Sequence, residues 1–199
     1  MSKIGRFCWI DLATTDASAA KDFYGKLLGW TFEEQPTPNG PYIMGKAGDG
    51  FVGGLFTNPE QPHPAWNSYV EVENAEKSTE KAKSLGANII KDPFDVMGMG
   101  RMSVFQDPTG AFLCLWQATG QGGTLAQPQT PGAWCWNELL TTDTGKAKDF
   151  YTQLFGWSTK ESPSPSGQPY TEFLLGEQPI GGMLQIQKEW GPIPPNWGV

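Results

Sequence analysis

Residues 9–30, WIDLATTDASAAKDFYGKLLGW, return as residues 136–157, WNELLTTDTGKAKDFYTQLFGW. The spacing is constant: Trp9 and Trp136, Asp16 and Asp143, Tyr24 and Tyr151, Gly29 and Gly156 each stand 127 positions apart. The match resumes where Val52-Gly53-Gly54-Leu55 meets Ile180-Gly181-Gly182-Met183, after one inserted residue. A period this long marks a duplicated domain, not a solenoid repeat of a few tens of residues. The first copy runs to about Gln117, whereas the second reaches Val199 short of the equivalent point.

Working outward, each copy opens with a short strand and then a well-marked helix. Asp16 can cap the first helix, Ala17, Ala19, Ala20, Phe23, Tyr24, Leu27 and Leu28 form its apolar run, and Gly29 ends it. Asp143 and Gly156 do the same in the second copy. A third, weaker version lies between them, with Asn74 as cap, 75–85 as helix and Gly86 as terminator. Strand-like runs broken by Gly, Pro and Asn follow each helix. The first copy therefore divides into units of about 7–57 and 66–117, and a third unit spans about 133–186. In the second unit Asp107-Pro108-Thr109-Gly110 joins two strands with good hairpin chemistry, Pro at the second position and Gly at the fourth. The expected domains are 1–117, complete with two units; a Gly/Gln/Thr/Pro-rich linker, 118–131; and a half domain, 132–199, truncated to one unit.

Composition excludes several classes of partner. A net charge of −7 and a pI near 4.7 argue against a nucleic-acid backbone, which needs clustered Lys and Arg. No stretch approaches the roughly 20 apolar residues of a membrane span, and MSKIGRFCWIDLATTD lacks the apolar region of a secretory signal. Three cysteines offer no disulfide framework. The expectation is a cytoplasmic protein without nucleic-acid or membrane partners.

Tandem strand-helix-strand-strand-strand units, the stretches TTDASAAKDFYGKLLGW and TTDTGKAKDFYTQLFGW, and the DPTG turn before an apolar strand resemble the glyoxalase, bleomycin-resistance and extradiol-dioxygenase superfamily, the vicinal oxygen chelate fold. The resemblance covers nearly the whole chain. It implies an α+β fold of tandem βαβββ units, two of which pair into a cup-shaped mixed sheet with helices outside and a ligand inside. It also implies a divalent metal held from four positions, classically His or Glu. Those positions fall here at Trp9, Asn67, about Gly54–Phe56, and Cys114, and Trp136 stands at the first of them in the third unit. Such a set cannot make the usual carboxylate and imidazole shell. The single histidine, His63, lies in a Pro-rich loop and reads as solvated. The expectation is no metal and no cofactor, and one histidine supports no Ser-His-Asp or Cys-His constellation.

Strand alternation then sorts the remaining candidates. Trp9 and Asp11 face the cup, with Cys8, Ile10 and Leu12 packing under the helix. Asn67, Tyr69 and Glu71 face in from the second unit. Phe112, Cys114 and Trp116 share a face assigned inward by the resemblance. Trp136 and Glu138 are the third unit's equivalents of Trp9 and Asp11. Trp9, Asp11, Asn67, Tyr69, Glu71, Phe112, Cys114 and Trp116 are thus the candidate ligand-binding residues. Trp9 beside Asp11 suits a planar, cationic or hydrogen-bonding molecule. Asp11 and Glu71 are candidate acids or bases, set against the plainer reading that each carboxylate is solvated or paired with a cation such as Arg101. The Gly53-Gly54 and Gly181-Gly182 pairs open no helix and so form no phosphate loop; they suit a bulge or a close backbone approach.

Three functions remain in play: a metal-independent small-molecule binder with an aromatic cup, a superfamily enzyme (lyase, isomerase or dioxygenase type) using Asp11 or Glu71 or atypical metal ligands, and an inactive truncated duplicate. The expected partners are a small-molecule ligand and a second copy of the chain, in a homodimer formed through the unpaired third unit.

Overall fold

The computed structural model describes residues 4–60, 63–120, 125–127, 130–163, 167 and 169–199. Among them are thirteen strands in two mixed sheets and three α-helices. The βαβββ pattern occurs three times. Module one comprises β1 (Phe7–Thr14), α1 (Ala17–Leu28), β2 (Thr31–Thr37), β3 (Gly40–Ala47) and β4 (Gly50–Thr57). Module two comprises β5 (Ala65–Glu71), α2 (Ala75–Ser84), β6 (Asn88–Asp95), β7 (Gly100–Gln106) and β8 (Phe112–Ala118). Module three comprises β9 (Glu138–Thr141), α3 (Thr144–Phe155), β10 (Ser158–Ser162), β11 (Tyr170–Leu175) and β12 (Gln178–Gln185), and a short β13 (Asn196–Gly198) follows.

The helices start and stop where their end residues require. Asp16, Asn74 and Asp143 each accept a backbone N–H three residues ahead, from Ala19, Lys77 and Lys146 at 2.8–2.9 Å. Gly29 and Gly156 end α1 and α3 at φ 69° and 72°, a left-handed geometry that a Cβ disfavours. Each module then closes its sheet in the same way, with the last strand parallel to the first: Asp11 opposite Gly54, Tyr69 opposite Cys114, Glu138 opposite Gly182. In module three, β13 adds an antiparallel strand to β9, with Gly198 opposite Glu138.

The chain forms two compact units. One holds Trp9–Asn67 and the described part of 121–135; the other holds the chain up to Cys8, Ser68–Gly120 and Trp136–Gly198. In the first, Leu12, Ala17, Ile43 and Leu55 pack between α1 and the sheet, as the alternation of β1 predicts for Leu12. The segment after β8 is tied to the same unit, since Trp30 Nε1 donates to the Gly132 carbonyl at 2.8 Å and Ala126 N to the Phe51 carbonyl at 2.8 Å.

In the second unit, modules two and three share one core. Val70, Phe105, Leu113 and Leu115 lie in the same cluster as Leu139, Phe150, Tyr151, Leu154, Trp157 and Trp197. The Tyr151 hydroxyl donates to Asp107 Oδ2 at 2.8 Å and accepts from Trp197 Nε1 at 2.8 Å. Asp107 Oδ1 meanwhile takes the backbone N–H groups of Thr109, Gly110 and Ala111, closing the DPTG turn. Burial, then the Asp107 carboxylate, pushes the Tyr151 phenol well above its ordinary pKa. No helix among the described residues is long and apolar enough to cross a membrane.

The shared core separates two residues that match in the repeat. Phe150 is 3% exposed and Phe23, its counterpart, 57%. Phe150→Ala is expected to cost about 3–5 kcal/mol, and Phe23→Ala roughly 0.5 kcal/mol or less. Urea unfolding of both variants at low protein concentration checks this.

Candidate functional site

The candidate site is built where β1, β3 and β4 run side by side. Trp9 and Asp11 sit two apart on β1 and share a face, and Asp11 is 3% exposed. A buried carboxylate needs donors. Asn67 Nδ2 donates to Asp11 Oδ1 at 2.8 Å, and the Tyr42 hydroxyl donates to Oδ2 at 3.2 Å. That hydroxyl in turn accepts from Trp9 Nε1 at 2.7 Å. The result is a relay, Trp9 to Tyr42 to Asp11, with Asn67 holding the far oxygen.

Tyr42 lies on β3 and reaches Asp11 across β4 by passing over Gly54, the residue opposite Asp11. A Cβ at Gly54 would overlap the Tyr42 hydroxyl. The Gly-Gly pair therefore serves the close approach expected of it, and the β3–β4 register also shifts beside it, between Gly45 and Lys46.

The second copy repeats the device. Trp136 Nε1 donates to the Tyr170 hydroxyl at 2.9 Å, and that hydroxyl donates to Glu138 Oε2 at 3.0 Å. Tyr170 passes over Gly182, where a Cβ would overlap its hydroxyl. Burial pushes the Tyr170 pKa up to about 12; the Trp136 N–H opposes the rise, and the Glu138 carboxylate adds to it. Gly198, opposite Glu138, carries no side-chain amide to match that of Asn67, and Glu138 Oε1 has no hydrogen-bond partner among the described residues.

The structure brings Trp9, Asp11 and Asn67 together in one unit. Tyr69, Glu71, Cys114 and Trp116 lie in the other unit on the paired strands β5 and β8, Tyr69 opposite Cys114 and Glu71 opposite Trp116. Tyr69 and Cys114 are buried, Glu71 and Trp116 half-buried, and Phe112 at the start of β8 is exposed. Arg101 pairs with Glu76, Nε to Oε1 at 2.6 Å, and with neither of the two candidate carboxylates, Asp11 and Glu71. His63 is exposed. The residues that sequence reasoning missed are Tyr42 and Tyr170. Their signal is the Pro41-Tyr42 and Pro169-Tyr170 pair, 128 apart like the two Gly-Gly pairs.

A divalent metal does not fit these positions. The Trp9 indole is only a donor and is engaged with Tyr42, the Asn67 amide is turned to Asp11, and Gly54, Leu55 and Phe56 bring no ligating side chain. Among the described residues no group of three or more His, Cys, Asp or Glu is placed to hold a metal ion.

The model of the Glyoxalase/Bleomycin resistance protein/Dioxygenase superfamily matches residues 6–115. The chain belongs to this superfamily. It is 34% identical over 197 residues to "Putative glyoxylase CFP32" of Mycobacterium tuberculosis, covering 96% of this chain and 74% of that protein. It is 29% identical over 211 residues to the anthracycline biosynthesis protein DnrV of Streptomyces peucetius, covering 98% and 76%. Among solved structures, the Mn(II)-bound glyoxalase from Novosphingobium aromaticivorans superposes with a TM-score of 0.68 at 14% identity, over 94% of this chain and 63% of that one. The halotolerant catechol dioxygenase BphC gives 0.65 at 16%, over 92% and 66%. The chain thus spans about three quarters of those curated relatives and less than two thirds of those solved chains. At such low identity the superfamily's solved structures share the fold alone with this chain.

The raised Tyr170 pKa sets a pH dependence. Its folded value exceeds that of a free tyrosine, about 10, so its contribution to stability is intact below pH 10 and is lost as pH rises toward 12. Urea midpoints measured from pH 8 to 12 should fall over that window, and Tyr170→Phe should remove part of the fall. A second check is Tyr42→Phe, which deletes both relay bonds of the hydroxyl, the one accepted from Trp9 and the one donated to Asp11. It is expected to cost about 1–3 kcal/mol and to shift the Trp9 fluorescence maximum.

Proposed function

We propose that this superfamily member is a metal-independent binding protein for a small organic molecule with an aromatic or cationic part. The observation that carries this reading is the Trp9–Tyr42–Asp11–Asn67 cluster, which stands where the superfamily's metal shell would begin. An indole face beside a buried carboxylate favours a flat ligand bearing N–H donors or positive charge. Trp9, Asp11 and Asn67 are proposed as its anchor. The same reading extends to Tyr69, Glu71, Phe112, Cys114 and Trp116, each tested by its own substitution. Because two relatives are named for anthracycline biosynthesis, a cationic anthracycline is the first probe.

A second reading, acid–base catalysis, is favoured at Glu71 over Asp11. Both Asp11 oxygens accept donors, whereas the half-buried Glu71 side chain has no partner among the described residues. In this reading Glu71 would move a proton on a bound substrate.

The test is a tryptophan-fluorescence titration with the anthracycline after dialysis against a chelator, repeated with added Mn(II). The binder reading expects saturable quenching that Mn(II) leaves unchanged and that Asp11→Asn weakens at least about tenfold. Binding that requires Mn(II), or that is indifferent to Asp11→Asn, would sink it. Substrate turnover lost in Glu71→Gln with binding retained would establish the enzyme instead.

A further inference from the structure

The repeat begins upstream of both relays. Gly5-Arg6-Phe7-Cys8-Trp9 and Gly132-Ala133-Trp134-Cys135-Trp136 stand 127 apart, and Gly5 and Gly132 share a left-handed backbone at φ 80° and 84°. Each is the lead-in to the first strand of its module, yet neither belongs to the unit that holds that module. The chain up to Cys8 goes with modules two and three, and the described part of 121–135 goes with module one.

Within each unit the lead-in meets the same residue of the repeat. Trp157 Nε1 donates to the Gly5 carbonyl at 2.7 Å, and Trp30, its counterpart, donates to the Gly132 carbonyl at 2.8 Å. Both tryptophans are buried, and a buried indole N–H needs an acceptor. Around Gly5, Phe7 packs on Trp157 and Trp197 with ring centroids 5.7 and 5.1 Å apart, and Arg6 Nη2 donates to Gln178 Oε1. Gly5 N donates to the Glu71 carbonyl at 2.7 Å, and Glu71 N to the Arg6 carbonyl at 2.9 Å. Around Gly132, Ala133 packs against Trp30, Ala47 and Val52, and a Cβ on Gly132 would stand 2.9 Å from the Leu28 carbonyl oxygen.

We propose that the two lead-ins are reciprocally exchanged clasps: each holds shut the module it meets, not the module it begins. The same indole-to-carbonyl bond forms twice with its partners crossed, so the exchange leaves neither tryptophan without an acceptor. Local opening of a module then depends on a segment far away in sequence, 152 residues from Trp157 and 102 from Trp30. A lead-in that served its own module would protect α1 in the first copy and α3 in the second. An exchanged one protects α3 from the first lead-in and α1 from the second.

Hydrogen exchange of the full chain, read by mass spectrometry, tests this. Phe7→Ala is expected to speed exchange in α3 and β12 at least about tenfold and to leave α1 and β3 unchanged. Gly132→Ala, strained by the positive φ and by the Leu28 carbonyl, is expected to do the reverse, loosening α1 and β3 but not α3 and β12. Should Phe7→Ala not fold, Phe7→Leu is expected to give the same pattern at smaller amplitude. Phe7 variants that loosen α1 rather than α3 would show a lead-in serving its own module and overturn the proposal. Equal loosening of both modules, or no change in either, would overturn it as well.

Discussion

The larger unit depends on one buried hydrogen bond, from the Tyr151 hydroxyl to Asp107. Asp107 is 3% exposed and would be costly to bury alone. Three backbone N–H groups of its own turn and the Tyr151 hydroxyl satisfy it, and Trp197 satisfies the tyrosine. This chain of donors fixes where α3 can sit on module two and where β13 can lie against β9. Apolar contacts between Phe150, Phe105 and Leu154 then follow as a consequence of position. Hydrophobic burial supplies most of the stability, but it is non-directional. The carboxylate sets the register.

The same grammar, indole to phenol to carboxylate, recurs across the sheets at Trp9–Tyr42–Asp11 and Trp136–Tyr170–Glu138. In each case the tyrosine spans a strand whose facing residue is glycine, because any side chain there would occupy the hydroxyl's place. Local conformation and tertiary hydrogen bonding are thus coupled at Gly54 and Gly182. The two relays differ at their far end. Asn67 closes the first on Asp11, whereas Gly198 opposite Glu138 brings no side-chain donor.

Much of this was legible in the sequence. The caps Asp16, Asn74 and Asp143, the terminal glycines and the DPTG turn each act locally, so their spacing alone placed three helices and a hairpin. The alternation of β1 likewise put Leu12 under α1 and Trp9 with Asp11 on the other face. The partners of Asp11 and Glu138 were not legible, because Tyr42 and Tyr170 lie 31 and 32 residues away along the chain. Only the inter-strand register brings them close. The different fates of Phe23 and Phe150 were equally hidden. Both belong to one repeated motif, and burial depends on the surface each helix meets. Phe112 shows the limit of alternation from the other side: it shares a strand face with buried Cys114, yet it stands at the strand's exposed start.

Placing tryptophan where the superfamily resemblance expects a metal ligand reverses the polarity of the position. An imidazole or carboxylate ligand offers a lone pair, whereas an indole N–H only donates. Trp9 passes its donation through Tyr42 to Asp11, so every bond in the relay points toward the carboxylate. A site ordered around Asp11, as proposed, would select N–H donors and positive charge, and use the indole face for flat apolar surface. Under this reading the retained fold keeps the scaffold while the recognition rule changes sign. Glu138, with one oxygen held by Tyr170 and the other accepting from no described residue, extends the same rule to the second copy.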